Sequence, residues 1–313
     1  MHADEVSNRW HNDMPSSPSQ KALAFVLVVV PVIVLAVAIW SEGFSPRPLD
    51  ILMMLVGFVL SGIGVSVGFH RYFTHRSFDA CGPVAFVLGV LGSLAWQGPA
   101  LEWAQVHRRH HRHSDREDDP HSPHISGNGI AGVIRGAIFA HVGWMFLVNL
   151  RSADMARYSP DLRADRTVRI VSKLHYLVAI GGLVVPALVA VAFEPTWRSA
   201  WLGLLWGGIF RVFLFNHVTW CVNSLCHMMG KKEYKTGDES RNNAVMGLLA
   251  FGEGWHNNHH AFPYSARLGL RWWQVDVGYL VIRVMERLGL VWSVRRPSEA
   301  TQQARQRMDL SRT

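Results

Sequence analysis

Four apolar stretches constrain this chain more than any other feature, because each is long enough to cross a bilayer. Ala22–Trp40 and Ile51–Phe69 carry no charged residue. Leu174–Phe193 contains Pro186, and Ala200–Val222 contains Arg211, Asn216 and His217. About 20 apolar residues span the hydrocarbon core as a helix, and in lipid a lone segment must satisfy its own backbone, which only a helix does. The expectation is an all-α integral membrane protein with four transmembrane helices in two hairpins. Polar groups at membrane depth are costly and turn inward, so the fourth span should face a bundle or a cavity. Pro83–Trp96 is too short to cross, and Ile130–Leu150 is interrupted by Arg135 and His141. Both read as helices packed on the cytoplasmic side or lying in the interface.

Composition agrees. Hydrophobic residues make up 49% and charged residues 17%, against about 25% charged in an ordinary soluble domain. Disordered, disulfide-stapled and coiled-coil chains are excluded. The basic excess, 31 Lys and Arg against 23 Asp and Glu, comes without any nucleic-acid-binding motif. Of those cations only Arg47 and Arg198 fall in the short connections Ser41–Asp50 and Glu194–Ser199. The positive-inside rule therefore places both termini, 76–173 and 223–313 in the cytoplasm, with a bacterial inner membrane as the expected location. Residues 1–20 read as a disordered tail and 295–313 as a basic one. Between them, 21–294 forms one membrane domain whose cytosolic cap comes from 70–173 and 223–294. Cys81, Cys221 and Cys226 form no CxxC pair, which argues against disulfides and a thiolate metal site, and Cys221 and Cys226, in or beside an apolar stretch, read as core residues.

Histidine is the anomaly: 17 are present, and most are clustered. His70 and His75 follow the second span. His107, His110 and His111 form an H-x-x-H-H group, as do His256, His259 and His260, and Asn223 and His227 close the fourth span. Residues three and four apart on a helix are neighbours, so each trio is expected to point its imidazoles one way. Two spans separate the second group from the third, which returns all four groups to one membrane face. Nine imidazoles exceed the four ligands of a zinc site and suit two ions. Imidazole serves iron, copper and zinc, so spacing leaves the metal open. His2, His11, His113, His124, His141 and His175 read as ordinary surface or core residues. His217 is a candidate tunnel-lining residue, and His121, just after Asp118-Asp119-Pro120, a supporting one. Arg108, Arg109 and Arg112 fall on other helix faces, as a solvated surface or as a dock for an acidic donor or a phosphate.

The segments HRYFTHR, EWAQVHRRHH, NSLCH and GEGWHNNHHAFPY resemble those of the membrane fatty acyl desaturases of the stearoyl-CoA Δ9 type, over roughly Gly68 to Leu290. The resemblance implies four transmembrane helices under a cytosolic helical cap. It implies a di-iron centre held by His70, His75, His107, His110, His111, His227, His256, His259 and His260, with Asn223 holding one iron through a water. It also implies a bent tunnel shaped by Gln97, Trp103 and Thr219, in which O2 and two external electrons convert a saturated acyl chain into a cis olefin. No flavin or haem signature is present, so the electrons would come from a ferredoxin, a cytochrome b5-type protein or a flavoprotein reductase. Where relatives that use acyl-CoA carry Asn-Asp and Arg-Asp pairs near the head group, this chain has Gly98-Pro99 and Gln105-Val106, which leaves CoA, lipid and ACP as carriers. Zinc outranks ferrous iron at such ligands and can occupy them in a purified sample. A lipid or alkane hydroxylase with the same metals and a metal transporter are the rival readings. A transporter would place its histidines inside the spans.

Overall fold

The computed structural model describes residues 16–43, 45–150 and 153–310. They are mostly helical, and among them the sheet consists of one two-stranded antiparallel ribbon, Asp79–Ala80 against Val291–Trp292. The principal helices are α1 (Pro18–Ser41), α2 (Pro48–Thr74), α3 (Gly82–Ser93), α4 (Ala100–His113), α5 (Gly129–Leu147), α6 (Arg166–Phe193) and α7 (Trp197–Met228). They are followed by α8 (Ala244–Leu249), α9 (His256–Ala261), α10 (Val277–Arg287) and α11 (Glu299–Leu310).

Five of these, α1, α2, α5, α6 and α7, are long and apolar enough to cross a membrane, where the sequence suggested four. The extra one is α5. Its buried side is built from Gly132, Gly136, Phe139 and Ala140, while Ile130, Val133, Ile134, Ile138 and Leu147 are exposed. Arg135 does not interrupt it, because a long side chain on the exposed side can carry its charge away from the apolar stripe. The helices also outrun the apolar stretches. α2 continues past Phe69 through His70 to Thr74, α7 past Val222 to Met228, and α6 begins at Arg166.

Residues 1–15 of the expected N-terminal tail lie outside the described residues. From Pro18 onward the chain is helical, capped by the Ser17 hydroxyl, which accepts from Gln20 N. Gln20 in turn ties α1 to the end of α5 by donating to the Met145 and Val148 carbonyls at 3.0 and 2.6 Å. The expected C-terminal tail holds α11.

Arg47 joins the two short connections. It bonds Asp50 within its own loop and reaches Glu194 Oε2 at 2.7 Å and Ser199 Oγ at 2.8 Å. Deeper in the bundle, Arg211 on α7 is buried and donates to Ser61 Oγ and to the carbonyls of Leu94, Gly182 and Gly207. Its cost at membrane depth, roughly 2.5–3.5 kcal/mol on insertion scales, is offset by these acceptors from four separate segments. The fourth apolar stretch thus faces the bundle, as its polar residues required. α2 and α3 meet at glycine: a Cβ on Gly64 would lie 2.0 Å from the Gly92 nitrogen. That close approach sets the base from which His70 and His75 are presented.

Candidate metal centre

The described residues place all nine histidines at one locus, in two clusters. His70, His75, His107, His111 and His259 form one, and His110, His227, His256 and His260 the other; within each, the ligand atoms lie within 4.8 Å of one another. Local geometry explains the allocation. From Gly64 to Thr74 α2 winds as a π-helix, and the His75 N–H bonds the His70 carbonyl five residues back, at 3.1 Å. An α-helix would turn residues five apart away from each other. The wider π turn brings them to one side instead, with the rings edge to face and their centroids 4.8 Å apart.

The trios do not point one way. At 3.6 residues per turn, positions i+3 and i+4 differ by about 100° around the axis. His107 and His111, four apart, enter the five-histidine cluster, while His110 enters the other. On α9 the pattern is exchanged. His256 and His260 enter the four-histidine cluster, and His259 crosses to the first. Each H-x-x-H-H helix therefore feeds both clusters, and loss of either helix would break both.

Carboxylates fix several rings. His110 Nδ1 lies 2.9 Å from Asp119 Oδ1, His227 Nδ1 2.8 Å from Asp115 Oδ2, and His260 Nδ1 2.8 Å from Asp238 Oδ2. Burial raises the pKa of these aspartates, but the imidazole hydrogen bonds more than compensate. Asp119 is held at about 2, and Asp115 and Asp238 are held well below the usual carboxylate range. Ionised carboxylates only accept, so each of these imidazoles donates through Nδ1 and is left with Nε2 turned toward the other rings. Burial keeps His75, His107, His111, His256 and His259 far below the ordinary imidazole pKa. It also lowers His260 to about 4, despite Asp238. His110 is the exception: burial lowers its pKa, but Asp119 outweighs this and raises it.

The Nε2 atoms then face one another. His110 and His260 are 3.3 Å apart, His227 and His256 3.0 Å, His70 and His259 3.0 Å, and His111 and His259 2.7 Å. His260, kept neutral by burial, spends its Nδ1–H on Asp238 and so turns a lone pair on Nε2 toward its neighbours. Lone pairs converging at this distance suit a cation between them. Nitrogens bound to one ion at about 2.0–2.1 Å stand about 3 Å apart. The donor set fits two imidazole-bound ions.

The supporting carboxylates are the residues that the sequence reading passed over, apart from noting the acids before His121. A signal for them existed: a ligating histidine nearly always donates its second N–H to a carboxylate or carbonyl, and Asp115, Asp119, Asp238 and Glu253 all lie within 20 residues of a histidine group. Glu253 Oε2 approaches His70 Nδ1 at 2.6 Å, off the hydrogen-bond direction. Its other oxygen meets buried Arg71, which also pairs with Asp276 at 2.9 Å.

Two cavities lie beside the clusters and share Trp103, His107, Thr219 and Asn223 in their linings. The wide one, about 380 Å³, is also lined by Gln97. The narrow one, about 40 Å³, is also lined by His70, His256, Phe215 and Phe251. All three tunnel candidates stand in the wall of the wide one. The Trp103 indole donates to Gln97 Oε1 at 3.1 Å, and Gln97 Nε2 donates to Asn216 Oδ1 at 3.0 Å. Asn216 thus supports this wall from behind Gln97, and its place in an apolar stretch was its signal. Asn223 lines both cavities.

The remaining histidines stay outside the two clusters. His121 stacks on His110 at 4.4 Å and lines the wide cavity. His124 bonds the His227 carbonyl, His141 pairs with His217 and Ser224, and His113 meets the Tyr158 hydroxyl. His175 is buried on α6. His2 and His11 lie outside the described residues. Arg108 is no free dock: it binds Asp161 and the Thr74 and Tyr158 carbonyls, and Arg109 binds the Asp118 carbonyl, so both tie α4 to neighbouring segments. Arg112 is exposed. The cysteines are free and belong to neither cluster.

The chain is similar to known proteins. Residues 48–283 match the family model described as fatty acid desaturase. A hex-5-enoyl-[acyl-carrier protein] acetylenase from Moorena producens is 42% identical, over 78% of this chain and 77% of that protein. An sn-1 stearoyl-lipid 9-desaturase from Anabaena variabilis is 37% identical, over 77% of this chain and 82% of its own length. An icosanoyl-CoA 5-desaturase from Limnanthes douglasii is 36% identical, over 83% of this chain and 68% of its own length. With a bilayer's length of apolar helix beneath two histidine clusters and a family match over most of its length, this chain is an oxidoreductase that belongs to the fatty acid desaturase family.

Proposed function

We propose that the protein is an O2-dependent membrane desaturase that introduces a cis double bond, at the Δ9 position, into a saturated chain carried as acyl-CoA or acyl-lipid. The observation that carries this reading is the placement of two imidazole clusters beside two adjoining, largely apolar cavities, which we read as one bent slot. His70, His75, His107, His111 and His259 would hold one iron, and His110, His227, His256 and His260 the other, with Asn223 reaching the second through a water. Bound iron supplies the O2 chemistry that strips two hydrogens from neighbouring methylenes; with two electrons and two protons from outside, O2 leaves as two waters. A ferredoxin, a cytochrome b5-type protein or a flavoprotein reductase would deliver the electrons.

The chain's own residues do the selecting. A saturated chain offers no polar handle at the target carbons, so shape must place them. Trp103, locked by Gln97 and Asn216, lies over His107 with ring centroids 5.1 Å apart and forms one side of the bend. Thr219, its hydroxyl bonded to the Phe215 carbonyl, forms another part of that wall. A chain held there cannot slide freely past the metals, which is positioning by a closed slot. The apolar wall also keeps water from the oxidant.

The topology we favour retains four crossings. His110 and His227 share a cluster, so an even number of crossings separates them. α6 and α7 supply two, and the Arg47 contacts put the α1–α2 and α6–α7 connections side by side. α5 then lies in the interface with its apolar side toward lipid, and the clusters and both termini sit on the cytoplasmic face.

Expression in a host lacking this activity, with double bonds mapped separately in the lipid, CoA and ACP pools, tests the reading. A new cis olefin at C9 is the expected product, and a hydroxylated chain without olefin would replace the reading with a hydroxylase. The similarity to an acetylenase supports a second reading, which a triple bond formed from an unsaturated acyl chain would reveal.

A further inference from the structure

A cavity of about 350 Å³ lies away from the histidines, where α11 packs back on the segment that follows α9. Arg267, Arg271 and Arg296 line it together with Glu299, Gln302 and Gln303 of α11. The helix is fastened beside it. The Tyr234 hydroxyl donates to Gln302 Oε1 at 3.1 Å, and Arg305 Nη1 donates to the Lys235 carbonyl. Nothing in the desaturation of an acyl chain uses this cavity.

Each arginine is anchored by part of its fork. Arg267 Nε donates to the Gly269 carbonyl at 2.7 Å, and Arg271 Nε to Glu233 Oε2 at 3.0 Å. Arg296 is held by the Tyr279 hydroxyl, the Val294 carbonyl and Glu286. Glu233 and Glu286 stand outside the lining. Among the described residues Arg267 forms no ion pair, and the terminal nitrogens of Arg267 and Arg271 have no hydrogen-bond partner. A guanidinium presents five N–H donors in one plane. Anchoring through Nε therefore leaves the two-pronged end free and already oriented, the form that grips carboxylate and phosphate oxygens.

Charge points the same way. Arg267 and Arg296 both lie over the Tyr279 ring, 5.8 and 5.6 Å from its centre. Like charges gathered at one ring repel, and Glu299 is the one carboxylate of the lining set against three guanidiniums. Their complement is an anion with more than one charge and several oxygens, which describes a phosphate group. The loop that carries Arg267 and Arg271 also supports α9. Asn258 on α9 donates to the Leu268 carbonyl at 2.8 Å and to Gln274 Oε1 at 2.9 Å, and the Leu268 and Gly269 N–H groups bond Asp276.

We propose that this cavity binds a phosphate group, of a lipid head group or of a soluble phosphate, and that its occupation ties α11 to the loop that holds α9.

The test uses the purified full chain in phosphatidylcholine nanodiscs. It needs neither metal nor acyl substrate, so it stands or falls apart from the desaturase reading. Labelled inorganic phosphate should bind saturably. Phosphatidic acid added to the disc distinguishes the sources: displacement of the label shows that a head group reaches the cavity, and retention of the label assigns it to soluble phosphate. Joint replacement Arg267→Gln and Arg271→Gln should weaken binding at least about tenfold, the scale of a lost charge-assisted hydrogen bond. Glu299→Gln should instead tighten it about two- to threefold, as expected when an exposed like charge is removed. Phosphate should also delay thermal unfolding of the parent chain but not of the double arginine variant. Absence of saturable binding overturns the proposal, and so does binding that none of these substitutions alters.

Discussion

The two histidine clusters are built from the same kinds of helix and differ in what stands behind them. The four-histidine cluster has three aspartates, each hydrogen-bonded to a ring nitrogen. Among the described residues the five-histidine cluster has one carboxylate hard against a ring, Glu253, which is shared with Arg71 and meets His70 off-line. One cluster thus has more imidazoles, and the other has more negative charge behind fewer. Carboxylates behind imidazoles fix the tautomer and raise the basicity of the ligand. The lesson is that two ions in one pocket need not be equivalent: the four-histidine cluster is the better electrostatic host for a highly charged ion, and the five-histidine cluster relies on ligand number.

The largest effect should come from removing a ring. His256→Ala is expected to cut turnover by more than a hundredfold and to drop iron from two per chain toward one, while the protein still inserts in the membrane. Near-normal turnover would take His256 out of the site. Next, Asp238→Asn leaves every ring in place but removes the charge behind His260. It should weaken metal affinity or activity by roughly 10–100-fold, the usual scale for such partners, with the loss confined to one of the two ions in a metal titration. Equal weakening of both would dissolve the comparison.

Thr219→Trp probes the wall below both clusters. Turnover of long chains should fall about tenfold with two irons retained, and chain-length or double-bond preference should shift; an unchanged product profile would place Thr219 away from the slot. The smallest effect on metal is expected for Glu253→Gln, below about threefold. Its main consequence should be in stability, a loss of about 1–3 kcal/mol read as earlier thermal unfolding, because buried Arg71 then keeps only Asp276 as a charged partner. A loss of metal as deep as that in Asp238→Asn would mean that Glu253 supports its cluster as fully as the aspartates do.

Much of this architecture could be read without coordinates because it rests on local rules. Span length, the burial demanded by Arg211 and Asn216, and the parity that returns His227 to the side of His110 all follow from counting residues against a bilayer. α5 escaped that count because its apolar side and its Arg135 alternate along the sequence and separate only when the helix is wound. The carboxylates escaped because Asp115 and Asp238 lie 112 and 22 residues from the rings they hold.

The sequence by itself determined that nine imidazoles would gather at one locus beside apolar helices, because helical periodicity and hydrophobic length are short-range properties of the chain. Which rings belong together was decided only by the fold. The π turn brings His75 over His70, and the 100° between i+3 and i+4 sends His110 and His259 across to opposite clusters. Partners along a chain are set by residue spacing, but partners around an ion are set by where separate helices aim their side chains once packed.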